Sequence, residues 1–285
     1  MNNTKVAVLF GNKINHNYYL YNKLGIVEAF LKLPKNFQTQ FFAMTEVMNA
    51  YERDGRIMWF VNTIKAMKFG INERFEPDIV FCVGSPNFDW DKILTGNYKK
   101  YFIYDSYETP KKYFDWSGVI VPTSEDLNYY PNAVVGAVYN DLIFKDFKKD
   151  NKHFEIFYPQ LITNLDLFLD IQQDELSAGL NEAQNILHLS DITTDTISDI
   201  MNQSKIVCLL EKNNDIELAL SALACNIPVV TVEDNKSSFL DGVFVSLATN
   251  PDFSLSIDDA KSIKMDCDLS KYSTSAYAEK IRNIL

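Results

Sequence analysis

The sequence predicts two successive α/β domains, each built on a parallel sheet. Short apolar runs of strand length alternate with amphipathic segments along most of the chain. Several runs are apolar throughout, as expected of strands buried on both faces beneath helices. The chain has 285 residues, nearly twice the roughly 150-residue size of an ordinary domain.

Residues 5–10 (KVAVLF) are strand-like in length and β-branched content. Residues 20–33 place Leu24, Val27, Phe30 and Leu31 at helical spacing, and Pro34 stops that helix. A strand is expected at 37–43 and a helix at 57–69, with a turn at Gly70. Pro77-Asp78 leads into an apolar strand at 79–83, and further strands follow at 100–104, 119–122 and 134–137. The second half repeats the grammar. Strands are expected at 154–158, 185–188, 205–210, 228–232 and 243–246, with helices at 176–182, 193–203, 215–225 and 273–285. The charged stretch 145–152 (KDFKKDNK) marks the boundary between domains 1–147 and 148–270. Ligands of open α/β sheets bind beyond the carboxyl ends of the strands. The informative residues are therefore those that follow each apolar run.

Composition narrows the function. With 47% hydrophobic and 23% charged residues, 10 Gly and 9 Pro, the chain is neither collagen-like nor disordered. It has no apolar run of about 18 residues, so no membrane span is expected. The first apolar run, 6–10, is too short for a signal segment, and a cytoplasmic location is expected. The cysteines at 82, 208, 225 and 267 form no CxxC pair, and His16, His153 and His188 are scattered. Neither a disulfide framework nor a metal site is expected. Residues 1–150 hold 18 Lys and Arg against 17 Asp and Glu, whereas 151–285 hold 9 against 21. The second half would repel a polyanion. The lysines of the first half cluster at 99, 100, 111, 112, 145, 148 and 149, where an anionic partner can dock.

Residues 191–234 (DITTDTISDIMNQSKIVCLLEKNNDIELALSALACNIPVVTVED) carry a resemblance. They resemble the donor-binding domain of the family-4 (group 1) glycosyltransferases, in which a helix of the form LEAMACG is followed by a strand beginning PVV. Here 221–230 (SALACNIPVV) match that helix, turn and strand in register. Tyr139, Asn140, Asp141 and Phe144 resemble the family's interdomain passage. The resemblance implies the GT-B fold: two Rossmann-like domains facing across a cleft, with the C-terminal segment 271–285 crossing back to the first. It implies sugar transfer from a nucleotide-sugar donor to an acceptor hydroxyl, with retention of configuration. It implies no bound metal, because cationic groups and helix N-termini stabilise the departing diphosphate. The donor-site motif departs from the family. Its paired glutamates fall on Asn213 and Ser221, and the stretch that holds an Arg and a Lys is here 158–164 (YPQLITN), which has no cation and supplies Gln160 as a candidate.

On the donor side the candidates are Gly11 and Lys13 after the first strand, Asn140, Gln160, Glu211, Asn213, Glu217, Ser221, Lys236 and Ser237. Gly11 and Lys13 can offer a backbone N–H and a cation to phosphate. Lys236 is a cation left for the diphosphate in the acidic half, and Ser221 offers a ribose a hydroxyl in place of a carboxylate. Asp105, directly after the strand 100–104, is the expected catalytic or acceptor-orienting carboxylate, with His16 as a second acid/base group. Ser85, Asn87, Tyr107, Glu108, Lys111 and Lys112 are the acceptor-side candidates.

The acceptor is expected to be a glycan or small molecule. Residues 98–116 interleave four lysines with eight aromatics, which also suits a hydroxylated base in modified DNA. The same aromatics are equally suited to packing a buried strand. A nucleotide- or sugar-binding protein on a GT-B scaffold without catalysis is the competing reading. An epimerase acting on a sugar nucleotide is the third.

Overall fold

The computed structural model describes residues 3–11, 24–43, 49–53, 56–62, 76–92, 94, 96–104, 116–148, 152, 154–157, 194–209, 216–232, 245–248 and 268–285. The chain divides into two compact units. One comprises Met1–Leu20, Ile26–Ala137 and Ser275–Leu285, the other Tyr21–Gly25 and Val138–Thr274.

The first unit holds an eight-stranded sheet. In chain order its strands are β1 (Thr4–Phe10), β2 (Phe37–Ala43), β3 (Asn49–Arg53), β4 (Arg56–Asn62), β5 (Ile79–Gly84), β6 (Lys99–Tyr104), β7 (Gly118–Val121) and β8 (Val134–Val135). Across the sheet the order is β3-β4-β2-β1-β5-β6-β7-β8. Every neighbouring pair is parallel except β3 with β4. Helix α1 (Leu24–Leu31) connects β1 to β2.

Alternation along the central strands divides the core into two layers. Ala7, Leu9, Val80, Cys82, Phe102 and Tyr104 join Trp90, Leu94, Val121 and Tyr130 in one buried cluster. Phe81 and Tyr101 stand at the alternate positions. Their rings stack at 4.8 Å, and Phe30 of α1 meets Phe81 edge-on at 4.9 Å. Thus α1 covers that layer, while Trp90, which follows β5, fills the other.

One expected element changes type. The helix expected at 57–69 is replaced over its first part by β4, antiparallel to β3 with Arg53 opposite Arg56. Apart from Met58, residues 57–61 (IMWFV) are β-branched or aromatic, and Asp54-Gly55 is a strong hairpin dipeptide. That local signal favours a hairpin over a helix. Strand β3, which the sequence reading did not anticipate, becomes the sheet edge.

The second unit holds β9 (Phe154–Phe157), β10 (Ser204–Leu209), β11 (Val229–Val232) and β12 (Val245–Ala248), ordered β12-β11-β10-β9 and all parallel. Helix α2 (Thr194–Asn202) precedes β10, and α3 (Ile216–Ala224) connects β10 to β11. The strand expected at 243–246 is described over Val245–Ala248, and residues 243 and 244 lie outside the described residues. The expected helix at 176–182 and strand at 185–188 lie outside the described residues.

Helix α3 ends in a Schellman motif. Ile227 N–H donates to the Ala222 carbonyl at 3.0 Å and Asn226 N–H to Leu223 at 2.9 Å. Asn226 takes the left-handed conformation, φ 61°, which asparagine tolerates and β-branched residues do not. Asn226→Gly is expected to change stability by less than about 0.5 kcal/mol and Asn226→Val to cost about 1–2 kcal/mol, measured by thermal unfolding.

The first unit's main segment ends at Ala137 rather than at 147. Residues 138–148 are held within the second unit by hydrogen bonds to α2. Ser198 Oγ donates to the Ile143 carbonyl, and Asn202 bonds both Lys145 and Phe147. Helix α4 (Thr274–Ile284) follows a short 3-10 turn, Ser270–Tyr272. From Ser275 onward the chain is part of the first unit, where Lys32 Nζ donates to Ser275 Oγ at 3.0 Å.

Candidate functional site

A parallel sheet brings the residue after each strand to one edge. At the carboxyl edge of the first sheet, Gly11 follows β1 and Ser85–Asn87 follows β5. Trp90 ties them together. Its buried indole donates from Nε1 to the Ser85 carbonyl at 3.2 Å. A Cβ placed on Gly11 would stand 2.3 Å from the same ring. Gly11 N–H donates to the Val83 carbonyl at 2.9 Å, so this N–H is engaged within the fold. The close approach of the indole explains the glycine without a ligand. Ser85 Oγ accepts from Asn87 N–H at 3.1 Å, which shapes the turn.

A further carboxylate stands after β7, where the sequence reading placed no site residue. Asp126 Oδ2 accepts from Thr123 N–H at 3.1 Å and from Thr123 Oγ1 at 2.6 Å. Asp126 N–H returns a bond to Thr123 Oγ1 at 3.3 Å. Burial raises the Asp126 carboxyl above its ordinary range, against the lowering effect of the Thr123 bonds. The Thr-x-x-Asp spacing of 123–126 is a reciprocal capping pattern and was the available signal.

Of the aromatic, lysine-rich stretch, Tyr101, Phe102 and Tyr104 are buried in the core and Tyr98 packs at its margin. These rings build the sheet. Asp105, Tyr107, Glu108, Lys111 and Lys112 lie outside the described residues, as do Lys13, His16, Gln160, Glu211, Asn213, Lys236 and Ser237.

In the second unit, α3 begins where the chain returns from the carboxyl end of β10. Glu217 lies in its first turn and is only 9% exposed. A carboxylate there is favoured by the helix dipole. Ser221 lies one turn further along the same face. Its buried hydroxyl donates to the Glu217 carbonyl at 2.6 Å, so its proton is committed to the helix backbone. Glu217 is the one acidic residue of α3.

Asn140 occupies a third position in this unit. Its Oδ1 accepts from Leu142 N–H at 3.2 Å. Its Nδ2 is buried and has no hydrogen-bond partner among the described residues. The N-terminal turn of α1 rests on this segment. A Cβ on Gly25 would stand 2.9 Å from the Tyr139 carbonyl carbon and 3.2 Å from Asn140 N. Only glycine permits that approach. Asp141 Oδ1 accepts from both the N–H and the hydroxyl of Thr274, at the start of α4. Tyr139 N–H donates to the Tyr272 carbonyl at 3.2 Å.

Burial, with the charge of Asp141 second, pushes the Tyr139 phenol up to about 12. Burial likewise pushes the Cys225 thiol up to about 12. Both stay protonated near neutrality, so Cys225 is no nucleophile. Among the described residues no three of His, Cys, Asp and Glu gather in a way that holds a metal ion. No described helix is long and apolar enough to cross a membrane.

No protein-family model matches the chain, and no curated protein matches it. Solved structures do resemble it. A putative UDP-N-acetylglucosamine 2-epimerase from Listeria monocytogenes aligns with TM-score 0.57 and 12% identity, over 100% of this chain and 96% of that one. Sucrose-phosphate synthase from Thermosynechococcus elongatus aligns with TM-score 0.55 and 11% identity, over 99% and 94%. An alpha-glucosyltransferase solved with UDP and a 13-mer DNA containing an HMU base aligns with TM-score 0.54 and 10% identity, over 100% and 94%. These likenesses show the fold: two α/β units with largely parallel sheets, of the GT-B type.

Proposed function

We propose that this chain transfers a sugar from a nucleotide-sugar donor to an acceptor hydroxyl, with the donor held by the second unit. The observation that carries the reading is Glu217. Where the family-4 motif places a glutamate, this chain has Ser221, whose proton is bonded within the helix. The acidic side chain of α3 stands one turn nearer the carboxyl edge of the sheet. There it can accept hydrogen bonds from a ribose, the task that the displaced glutamate performs in the family. An ionised acceptor binds a hydroxyl more strongly than a neutral one does. Asn140, with its buried donor beside the start of α1, is a second donor-side contact in this reading.

The remaining assignments follow the same logic. Lys13, Gln160, Glu211, Asn213, Lys236 and Ser237 complete the donor side, and Asp105 with His16 supplies acid/base chemistry. Ser85, Asn87, Tyr107, Glu108, Lys111 and Lys112 face the acceptor. The reading takes transfer to be retaining and to need no metal. A glycan or small-molecule acceptor is favoured over a DNA base, because Tyr101, Phe102 and Tyr104 are spent in the core rather than free to stack.

The test is a thermal-shift titration with UDP, GDP, ADP and their sugars, on the native chain and on Glu217→Gln. One nucleotide class at about 100 times its dissociation constant should add about 2.7 kcal/mol of stability. Glu217→Gln is expected to weaken that binding about tenfold while leaving the unliganded stability nearly unchanged. Equal binding by both proteins would remove Glu217 from the donor site. No stabilisation by any nucleotide would overturn the donor reading itself.

A further inference from the structure

No further inference is drawn: the strongest candidate, the buried Nδ2 of Asn140 beside the start of α1, belongs to the site already described, and the groove at the amino edge of the first sheet sets Lys5, Lys99 and Arg282 against Glu76 and Asp78, so nothing in the structure shows what fills it.

Discussion

Asn202→Ala is expected to lower the unfolding free energy by about 3–5 kcal/mol. The side chain is fully buried at the end of α2 and makes four hydrogen bonds. Its Oδ1 accepts from Phe147 N–H, while Nδ2 donates to the carbonyls of Lys145 and Ser198 and to Cys225 Sγ at 3.3 Å. Alanine leaves the Phe147 N–H and the Lys145 carbonyl in place without their Asn202 partner, and each orphaned buried group costs about 1–3 kcal/mol. Water entering the small void lowers the figure, so the sum of the separate costs is an upper bound. Asn202→Asp keeps the acceptor for Phe147 but turns a second oxygen toward two carbonyls, and it should be nearly as harmful near neutral pH. Urea denaturation with the slope unchanged would confirm the stability effect. A loss under about 1 kcal/mol would show that the segment 143–147 is not anchored through Asn202.

Gly11→Ala is the second substitution with a large expected effect, about 2–4 kcal/mol. The added carbon would sit 2.3 Å from the Trp90 ring, far inside van der Waals contact. Neither side yields readily. Gly11 is held by its bond to Val83, and Trp90 is packed edge-on to Phe88 at 4.6 Å and Phe102 at 6.4 Å. The double variant Gly11→Ala with Trp90→Phe separates this clash from other causes. Phenylalanine creates a cavity on its own but removes the atoms in conflict. The pair should therefore be at least about 1 kcal/mol more stable than the sum of the single losses predicts. Additive losses would mean that Gly11 is constrained by something other than the indole.

The first sheet was largely legible because its central strands are buried on both faces. Runs such as 79–83 have no polar residue and no room for a helix. The hairpin β3–β4 was misread because a short continuous apolar run such as IMWFV does not tell strand from helix by periodicity alone. Its strand character rests on Asp54-Gly55 and on pairing with β3. The Asn226 turn was legible in register with the family's glycine, since asparagine is the residue that best replaces glycine at positive φ.

Side-chain roles set by distant partners were not legible. Trp90 explains Gly11 across 79 residues of chain, and Asn202 reaches back 55 residues to Phe147. No local pattern encodes either contact. Glu217 was visible as an acid near a helix start. The commitment of the Ser221 proton to the helix backbone required the helix geometry.

The most direct measurement is release of free nucleoside diphosphate from a panel of nucleotide sugars by the purified chain, with simple glycans and HMU-containing DNA offered as acceptors. The account predicts diphosphate release from one donor that rises with an acceptor present. Glu217→Gln should lower kcat/KM for the donor about tenfold, mainly through KM. Conversion of the donor to an epimer without release, or tight nucleotide binding with no turnover toward any acceptor, would contradict it.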